Sequence, residues 1–204
     1  MNNFNSIAFI YDKLAHIVFG KAIIESQQVH LGHIKNGKSI LICGGGTGQI
    51  LRKLDALNVS LKVDFVEKSR GMIERACRHA PFKNLQVNFI NQDIFDVDLG
   101  EYDVIVTPFF LDIFSRSNLV KLIATLSASV KPKGCWINTD FKISNVWWKK
   151  VMILFMYLFF RLTANLEGKK LHDFELLIIK SGLSKVESTT FFKAMIDSSI
   201  YKKL

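Results

Sequence analysis

A short β-rich run that ends directly in a glycine cluster restricts this chain more than any other feature of its sequence. The run Ser39–Cys43 reads SILIC, five residues rich in glycine follow as Gly44–Gly48, and a stretch with helical spacing continues from there to Leu57. Glycines let the backbone approach a ligand closely, and a helix N-terminus offers free N–H groups. A strand, a glycine loop and a helix in this order predict a site for a nucleotide-like ligand in an α/β sheet.

The same alternation of strands and helices continues after the glycine loop. Further strands are predicted at Leu61–Val66, Val87–Ile90, Tyr102–Thr107 and Cys135–Thr139, with helices at Gly71–Ala80 and Ser117–Val130, the second stopped by Pro132 and Gly134. Short apolar strands that alternate with helices indicate a parallel sheet covered on both faces. Near the end of the chain, Lys185–Lys193 and Ala194–Lys202 are expected to form an antiparallel hairpin.

A chain of 204 residues is suited to one domain with a substantial core. We expect four parts within residues 1–204: an N-terminal helical lid (1–35), a ligand-binding core (36–141), an apolar lid insertion (142–172), and a closing helix with a β-hairpin (173–204).

The spacing of the glycines distinguishes between classes of nucleotide site. Dinucleotide enzymes carry G-x-G-x-x-G, but the sixth position is Gln49 when counted from Gly44 and Leu51 when counted from Gly46. No Gly-Lys-Ser/Thr follows, so the P-loop pattern is absent as well. What remains is a Gly-x-Gly-x-Gly pattern that ends at Gly48.

Two carboxylates follow the next two predicted strands. Glu67 closes the second strand, where a carboxylate can accept hydrogen bonds from both ribose hydroxyls. Asp93 follows the third strand and can accept one from an adenine amino group, while the main-chain N–H of Ile94 can meet a ring nitrogen. Because ligands of open α/β sheets bind at the carboxyl ends of the strands, these groups are expected on one rim.

Five segments together resemble the class I family of methyltransferases that depend on S-adenosylmethionine (SAM). They are ILICGGGTG (40–48), VDFVEKS (63–69), NFINQDIFD (88–96), YDVIVTPFFLDIF (102–114) and LSASVKPKGCWINTDF (126–141). The resemblance implies a Rossmann-like three-layer sandwich with a mostly parallel seven-stranded sheet, a C-terminal antiparallel hairpin and helical lid elements. It implies SAM as the cofactor and S-adenosylhomocysteine as its product.

The resemblance also assigns roles to individual residues. The methionine part of SAM would contact Gly44, Gly46 and Gly48, the ribose would contact Glu67, and the adenine would contact Asp93. Further residues expected around the cofactor are Gly45, Thr47, Lys68, Met72, Ile94, Thr107 and Pro108. One departure concerns Ile42, which stands two residues before the first glycine, where the family usually has an acid. Contact with the amino group of SAM must then come from elsewhere, or the affinity is altered.

The residues after the fourth strand argue against several classes of acceptor. Thr107-Pro108-Phe109-Phe110 differs from the Asn/Asp-Pro-Pro-Tyr/Phe motif of enzymes that modify DNA bases or protein amides, and no Pro-Cys pair offers a nucleophile for cytosine. Catechol-type members hold a metal through acids after strands four and five, and Thr107 replaces the first of them. The histidines His16, His30, His33 and His79 show no ligand spacing and are read as surface or helix residues. We therefore expect no metal.

Two helical regions suggest a lipophilic acceptor. Residues 5–20 resemble the lid of quinone and lipid-like methyltransferases, and the insertion 147–162 is apolar apart from one basic stripe. Its run Val151–Phe160 has ten residues, about half of the ~20 that a membrane-spanning helix needs. We expect a small hydrophobic or aromatic acceptor, methylated at oxygen or carbon. The N-terminus shows no signal peptide, so the protein is expected in the cytoplasm, and a peripheral contact with the inner membrane stays open.

Methylation of an oxygen also requires a group that removes its proton. The rim offers four candidates for this catalytic role: Tyr11, Asp112, Asp140 and His172.

Two other functions stay open at this point. A net charge of +9 favours an RNA methyltransferase, although the chain lacks an Arg/aromatic repeat and an appended RNA-binding domain, so no nucleic-acid partner is expected. The departure at Ile42 favours a non-catalytic protein that binds SAM or a partner.

Overall fold

A computed structural model describes residues 19–142, 146–148 and 172–203 of the chain. The described strands are β1 (Ser39–Cys43), β2 (Leu61–Val66), β3 (Leu85–Ile90), β4 (Tyr102–Pro108), β5 (Val130–Phe141), β6 (Leu183–Phe191) and β7 (Ile196–Lys203). The described helices are α1 (Ala22–Gln28), α2 (Gln49–Asp55), α3 (Arg70–Cys77), α4 (Arg116–Ala128) and α5 (Phe174–Lys180). Three short 3₁₀ turns occupy Leu31–His33, Ile94–Asp96 and Leu111–Ile113.

The seven strands form one sheet in the order β3-β2-β1-β4-β5-β7-β6. Strands β1 to β5 pair in parallel, whereas β7 runs antiparallel between β5 and β6. The mostly parallel sheet with a closing antiparallel hairpin is therefore confirmed. Since β1 to β5 point the same way, their carboxyl ends share one edge, which is called the rim below.

Strand β1 shows how the sheet is buried on both faces. Leu41 and Cys43 are fully buried against the layer that contains α4 and α5. Ile40 and Ile42 are fully buried in the opposite layer, which contains α2 and α3. Alternate side chains therefore fill two cores, as the period of a strand requires, and the predicted three-layer sandwich is confirmed.

The predicted start of β5 at Cys135 was wrong, because the strand begins at Val130. The strand includes Pro132 and Gly134, which the sequence marked as helix breakers, and α4 has already ended at Ala128. The pairing with β4 shifts in register across this stretch, and Lys133 has a positive φ of 62°. A bulge of this kind accommodates a proline, which cannot donate to the ladder, so the strand passes through residues that otherwise interrupt it.

The described part of the N-terminal segment packs beside the hairpin. Helix α1 contacts β6 and β7, and the following 3₁₀ turn buries Leu31 completely. The predicted helical lead-in is thus present from Ala22 to His33, and its role as a lid stays a prediction. Most of the apolar insertion lies outside the described residues, including the whole Val151–Phe160 run. Within the described ranges, no helix combines the length and the apolar character that crossing a membrane requires.

Candidate functional site

The glycine loop follows β1 directly at the rim. Gly44, Gly46 and Gly48 have φ values of 67°, 58° and 77°, a region that residues with a Cβ rarely adopt. A Cβ on Gly44 would overlap the ring of Phe110, and one on Gly48 would lie 2.7 Å from the Cβ of Ala76. Conformation and packing therefore both require glycine at Gly44 and Gly48, and the loop from Gly44 to Thr47 is half-buried, so a ligand can approach it closely.

Glu67 lies at the end of β2 and is joined to the glycine loop. Its Oε2 atom accepts a hydrogen bond from the main-chain nitrogen of Gly46 at 3.1 Å, and its Oε1 atom accepts one from Ser69 at 2.8 Å. Burial raises the pKa of Glu67, although its main-chain hydrogen bonds favour the charged form. Each carboxylate oxygen keeps a second lone pair with which it can accept a ligand hydroxyl.

Asn91 was missed by the sequence analysis. It is the first residue after β3, and its Nδ2 atom donates to the carbonyl oxygens of Glu67 at 2.8 Å and of Lys68 at 3.0 Å. These bonds fix the turn that follows β2, so Asn91 positions Glu67 from the neighbouring strand. The available signal was a polar residue directly after a buried strand, but the prediction named only Asp93, which lies two positions further along.

Asp93 lies beyond β3 on the same rim. Its Oδ1 atom accepts from the main-chain nitrogen of Phe95 at 3.2 Å, and its Oδ2 atom pairs with Lys68 Nζ at 2.8 Å. Burial acts to raise the pKa of Asp93, but the ion pair with Lys68 and the bond from Phe95 outweigh it, so the pKa is lowered. The carboxylate is therefore charged and able to accept from an exocyclic amine. The side chain of Ile94 is buried in the core beneath it.

Other residues predicted around the cofactor surround the glycine loop. The Sδ atom of Met72 lies 4.0 Å from where a Cβ on Gly46 would be. The carbonyl of Thr47 accepts a hydrogen bond from His79 Nε2 at 3.0 Å. The reading of His79 as a plain surface or helix residue was incomplete, because the side chain supports the loop.

Thr107 and Pro108 end β4, next to the glycine loop. The Thr107 side chain is fully buried, its hydroxyl donates to Asn138 Oδ1 at 2.7 Å, and it accepts from Trp136 Nε1 at 2.7 Å. This hydroxyl is committed to the interior of the sheet. A role for Thr107 and Pro108 in cofactor binding stays a prediction, and for Thr107 it is limited to the main chain.

Asp112 and Asp140 come together at the ends of β4 and β5. The oxygens of Asp140 accept main-chain hydrogen bonds from Leu111 at 3.0 Å and Phe141 at 2.9 Å, and the Oδ1 atom of Asp112 is buried. Burial raises the pKa of both carboxyls, and the charge of Asp112 raises that of Asp140 further. Two like charges in one buried place favour a shared proton.

Two other residues were predicted as candidates for the proton-removing group. His172 lies just before α5, where partial burial and the positive charge of Arg116 lower its pKa. Tyr11 lies outside the described residues.

An aromatic cluster covers the rim beside the aspartates. Phe109 follows β4, Phe141 ends β5, and their rings lie 5.0 Å apart between centroids. Phe19 adds to the cluster at 5.5 Å from Phe141 and 4.9 Å from Phe192. Phe109 adopts a positive φ of 51°, which is uncommon for a residue with a Cβ and occurs preferentially at functional sites.

Ile42 stands where the family usually has an acid, and its apolar side chain cannot make the polar contacts of that acid. Its side chain is fully buried between the sheet and the α2 layer. It is core, and any contact with the amino group of a ligand must come from other residues.

Comparison with known proteins gives consistent results. Residues 40–134 match a family model described as a methyltransferase domain. The carboxy-S-adenosyl-L-methionine synthase of Nautilia profundicola is 29% identical over 119 residues, which cover 58% of this chain and 51% of that protein. The chain thus spans about half the length of this curated relative.

Two solved structures share the fold at low sequence identity. The mitomycin 7-O-methyltransferase has a TM-score of 0.70 and 17% identity, over 91% of this chain and 55% of that one. The 1,6-didemethyltoxoflavin N1-methyltransferase of Burkholderia thailandensis, solved with S-adenosylhomocysteine, has a TM-score of 0.67 and 13% identity, over 95% and 83%.

Proposed function

We propose that the chain is a SAM-dependent methyltransferase of the class I type and that it transfers a methyl group from SAM to a small hydrophobic or aromatic acceptor, a proposal supported by the methyltransferase-domain match over residues 40–134. The observation that carries this proposal is the join between Glu67 and the glycine loop. It places a carboxylate acceptor of hydrogen bonds beside the half-buried glycine loop, on the rim where such ligands bind.

The described residues offer a separate contact for each part of SAM. Gly44, Gly46 and Gly48 would face the methionine part, Glu67 would accept from the ribose hydroxyls, and Asp93 would accept from the adenine amine. A carboxylate suits both positions because, in the charged state, it accepts hydrogen bonds and donates none. The Lys68 pair holds Asp93 in the charged state.

The chemistry requires little beyond placement and proton removal. SAM supplies an activated methyl group, which passes to the acceptor atom as S-adenosylhomocysteine leaves. The rim would hold that atom in line with the methyl group, and positioning of this kind supplies much of the rate. With an oxygen acceptor, one proton must also be removed.

Within the described ranges, Asp112 and Asp140 are the best-placed groups to take that proton. Both lie at the ends of β4 and β5, and a carboxyl whose pKa is raised is better matched to proton transfer near neutral pH than an ordinary one. Asp140 is held by the main-chain nitrogens of Leu111 and Phe141, and we infer that Asp112, in the turn after β4, accepts the proton while Asp140 raises its proton affinity through their shared burial.

The aromatic cluster supports a hydrophobic acceptor. Phe109, Phe141 and Phe19 pack together beside the aspartates, and the partly exposed ring of Phe109 can pack against an apolar or aromatic molecule. The two enzymes of similar fold are named for small molecules, mitomycin and 1,6-didemethyltoxoflavin, which is consistent with an acceptor of that size.

Calorimetry and mass spectrometry test the proposal. SAM and S-adenosylhomocysteine are titrated into the protein, which is then incubated with SAM and a panel of phenols and quinols. We expect saturable binding of both nucleosides and acceptors that gain one methyl group. Absence of nucleoside binding would overturn the proposal. Methylation of RNA alone would overturn the acceptor class, and binding without transfer to any acceptor would favour a non-catalytic role.

A further inference from the structure

Three metal-ligating side chains meet on the outer face of the hairpin, away from the rim. His30 Nδ1 lies 3.6 Å from Glu187 Oε1, and His33 Nε2 lies 3.5 Å from Glu187 Oε2. One donor atom from each of the three residues lies within 4.8 Å of the other two. Sequence analysis read both histidines as plain surface or helix residues and predicted no metal. That reading is wrong for His30, which is only 1% exposed.

The ring of His30 is oriented for ligation. Its Nε2 atom lies 2.9 Å from the main-chain oxygen of Ser198, which can only accept, so the Nε2 proton is donated there. In the neutral ring this leaves a lone pair on Nδ1, and that buried atom has no hydrogen-bond partner among the described residues. A histidine that ligates a metal typically donates its other ring N–H to a carbonyl or carboxylate in this way.

A β-bulge directs Glu187 toward the histidines. Strand β6 pairs Lys185 with Tyr201 but Glu187 with Ile200, so Val186 is the extra residue. Lys185 and Glu187 consequently point to opposite faces of the sheet, although they are two residues apart. Ile200 packs in the same core as Leu31, next to His30, and Glu187 therefore shares that face.

A cation between these donors would be favoured by all three. With a neutral His30 ring, the Nδ1 lone pair would face a carboxylate oxygen at 3.6 Å, and a bound ion would remove the repulsion between the two lone pairs. Ligands at 2.0–2.1 Å from a tetrahedral zinc ion lie about 3.3 Å apart. The two histidines approach different oxygens of Glu187 at 3.6 Å and 3.5 Å, and one donor atom of each residue lies within 4.8 Å of the other two, so the exposed His33 and Glu187 side chains would draw closer to enclose an ion. Two imidazoles and one carboxylate are a donor set that zinc accepts, with a fourth position left for water.

We propose that His30, His33 and Glu187 bind a divalent transition-metal ion of the zinc type, which fastens the 3₁₀ turn Leu31–His33 to β6. The site lies apart from the rim. Glu187 of β6 pairs with Ile200 of β7, and Ile200 pairs in turn with Ile137 of β5. Ile137 lies well before Phe141, the residue at which β5 ends at the rim. The ion would therefore stabilise the N-terminal segment on the hairpin without touching the proposed cofactor or acceptor.

Two of the three ligands can be replaced without disturbing the core, because His33 and Glu187 have 56% and 46% of their side chains exposed. Zinc is titrated into metal-free protein by calorimetry, and cobalt(II) is followed by its visible absorption. The variants are His33→Ala and Glu187→Gln, and the matched control is Glu74→Gln, an exposed carboxylate on α3. Thermal unfolding with and without zinc provides the second readout.

We expect one zinc ion per chain, an intense cobalt spectrum of a tetrahedral site, and a rise in Tm on zinc addition. Loss of one ligand should weaken binding at least tenfold and abolish the rise in Tm in both variants, while Glu74→Gln behaves like the unchanged protein. Equal zinc affinity in all four proteins would overturn the proposal. So would a cobalt spectrum dominated by thiolate charge transfer, since that would assign the metal to the exposed Cys77.

Discussion

The Oε2 atom of Glu67 accepts a hydrogen bond from the main-chain nitrogen of Gly46 at 3.1 Å. This bond joins the end of β2 to the loop that follows β1, across 21 positions of sequence. The other oxygen accepts from Ser69 at 2.8 Å, so the carboxylate is fixed at both ends before any ligand arrives. A site fixed in this way loses little conformational freedom on binding.

The first prediction concerns the Glu67 carboxylate. In Glu67→Gln one oxygen becomes an amide NH₂, which cannot accept from Gly46 or from a ribose hydroxyl. Hydrogen bonds to a charged group are worth about 1.5–3 kcal/mol, so the affinity for SAM should fall about tenfold to a hundredfold. Calorimetry measures this, with Glu74→Gln as the control for loss of a nearby exposed carboxylate. Unchanged affinity in Glu67→Gln would remove Glu67 from the site.

The second prediction concerns the first glycine of the loop. Gly44→Ala places a Cβ in a residue with φ 67° and into the ring of Phe110. The backbone strain alone costs about 1–3 kcal/mol, so urea unfolding should show a loss of at least that size. Gly100→Ala is the matched control, because Gly100 is exposed and a Cβ there meets nothing within 4 Å. Similar losses in both variants would contradict the packing argument.

The sequence predicted best where one local pattern decides the structure. Strands β1 and β2 have the predicted bounds because their apolar runs end at a glycine and at a charged residue. Glu67 and Asp93 lie on the rim as predicted, since carboxyl ends of parallel strands share one edge. Strand β5 was shortened in the prediction because a bulge, which depends on pairing with β4, allows Pro132 and Gly134 inside a strand.

Features that depend on pairing between distant segments could not be predicted. His30 and His33 meet Glu187 only because a bulge at Val186 turns that side chain to their face. Asp112 and Asp140 were each identified, but nothing local shows that they lie together, since α4 and most of β5 separate them in the sequence.

The third prediction is that methyl transfer does not require a divalent metal at the rim. Thr107 occupies the position of the expected acid, and its hydroxyl is already bound to Asn138 and Trp136. Initial rates with the first productive acceptor should be equal before and after EDTA treatment, at a temperature well below unfolding. EDTA is expected to lower Tm through the separate histidine site. A rate abolished by EDTA and restored by magnesium would contradict this prediction.

The fourth prediction is a dependence of stability on pH that originates in the aspartate pair. Burial raises the pKa of Asp112 to about 7, and that of Asp140 is raised as well, whereas an unfolded aspartate titrates near 3.9. Between these values the folded chain holds a proton that the unfolded chain has released. The contribution of the pair to the free energy of unfolding therefore falls as the pH rises from about 4 to about 7, with a slope of at most about 1.4 kcal/mol per pH unit for each proton.

Asp112→Asn tests the source of that slope. The amide carries no charge at any pH in this range, so it abolishes one titration and relieves the repulsion that raises the pKa of Asp140. Urea unfolding at pH 5, 6 and 7 should give a flatter decline for Asp112→Asn than for the unchanged chain, and the variant should gain relative stability as the pH rises. Asp98→Asn, at an exposed position, should keep the original slope. If the slopes of all three proteins coincide, the two carboxyls do not share a proton, and Asp112 loses the property that makes it the best-placed proton acceptor.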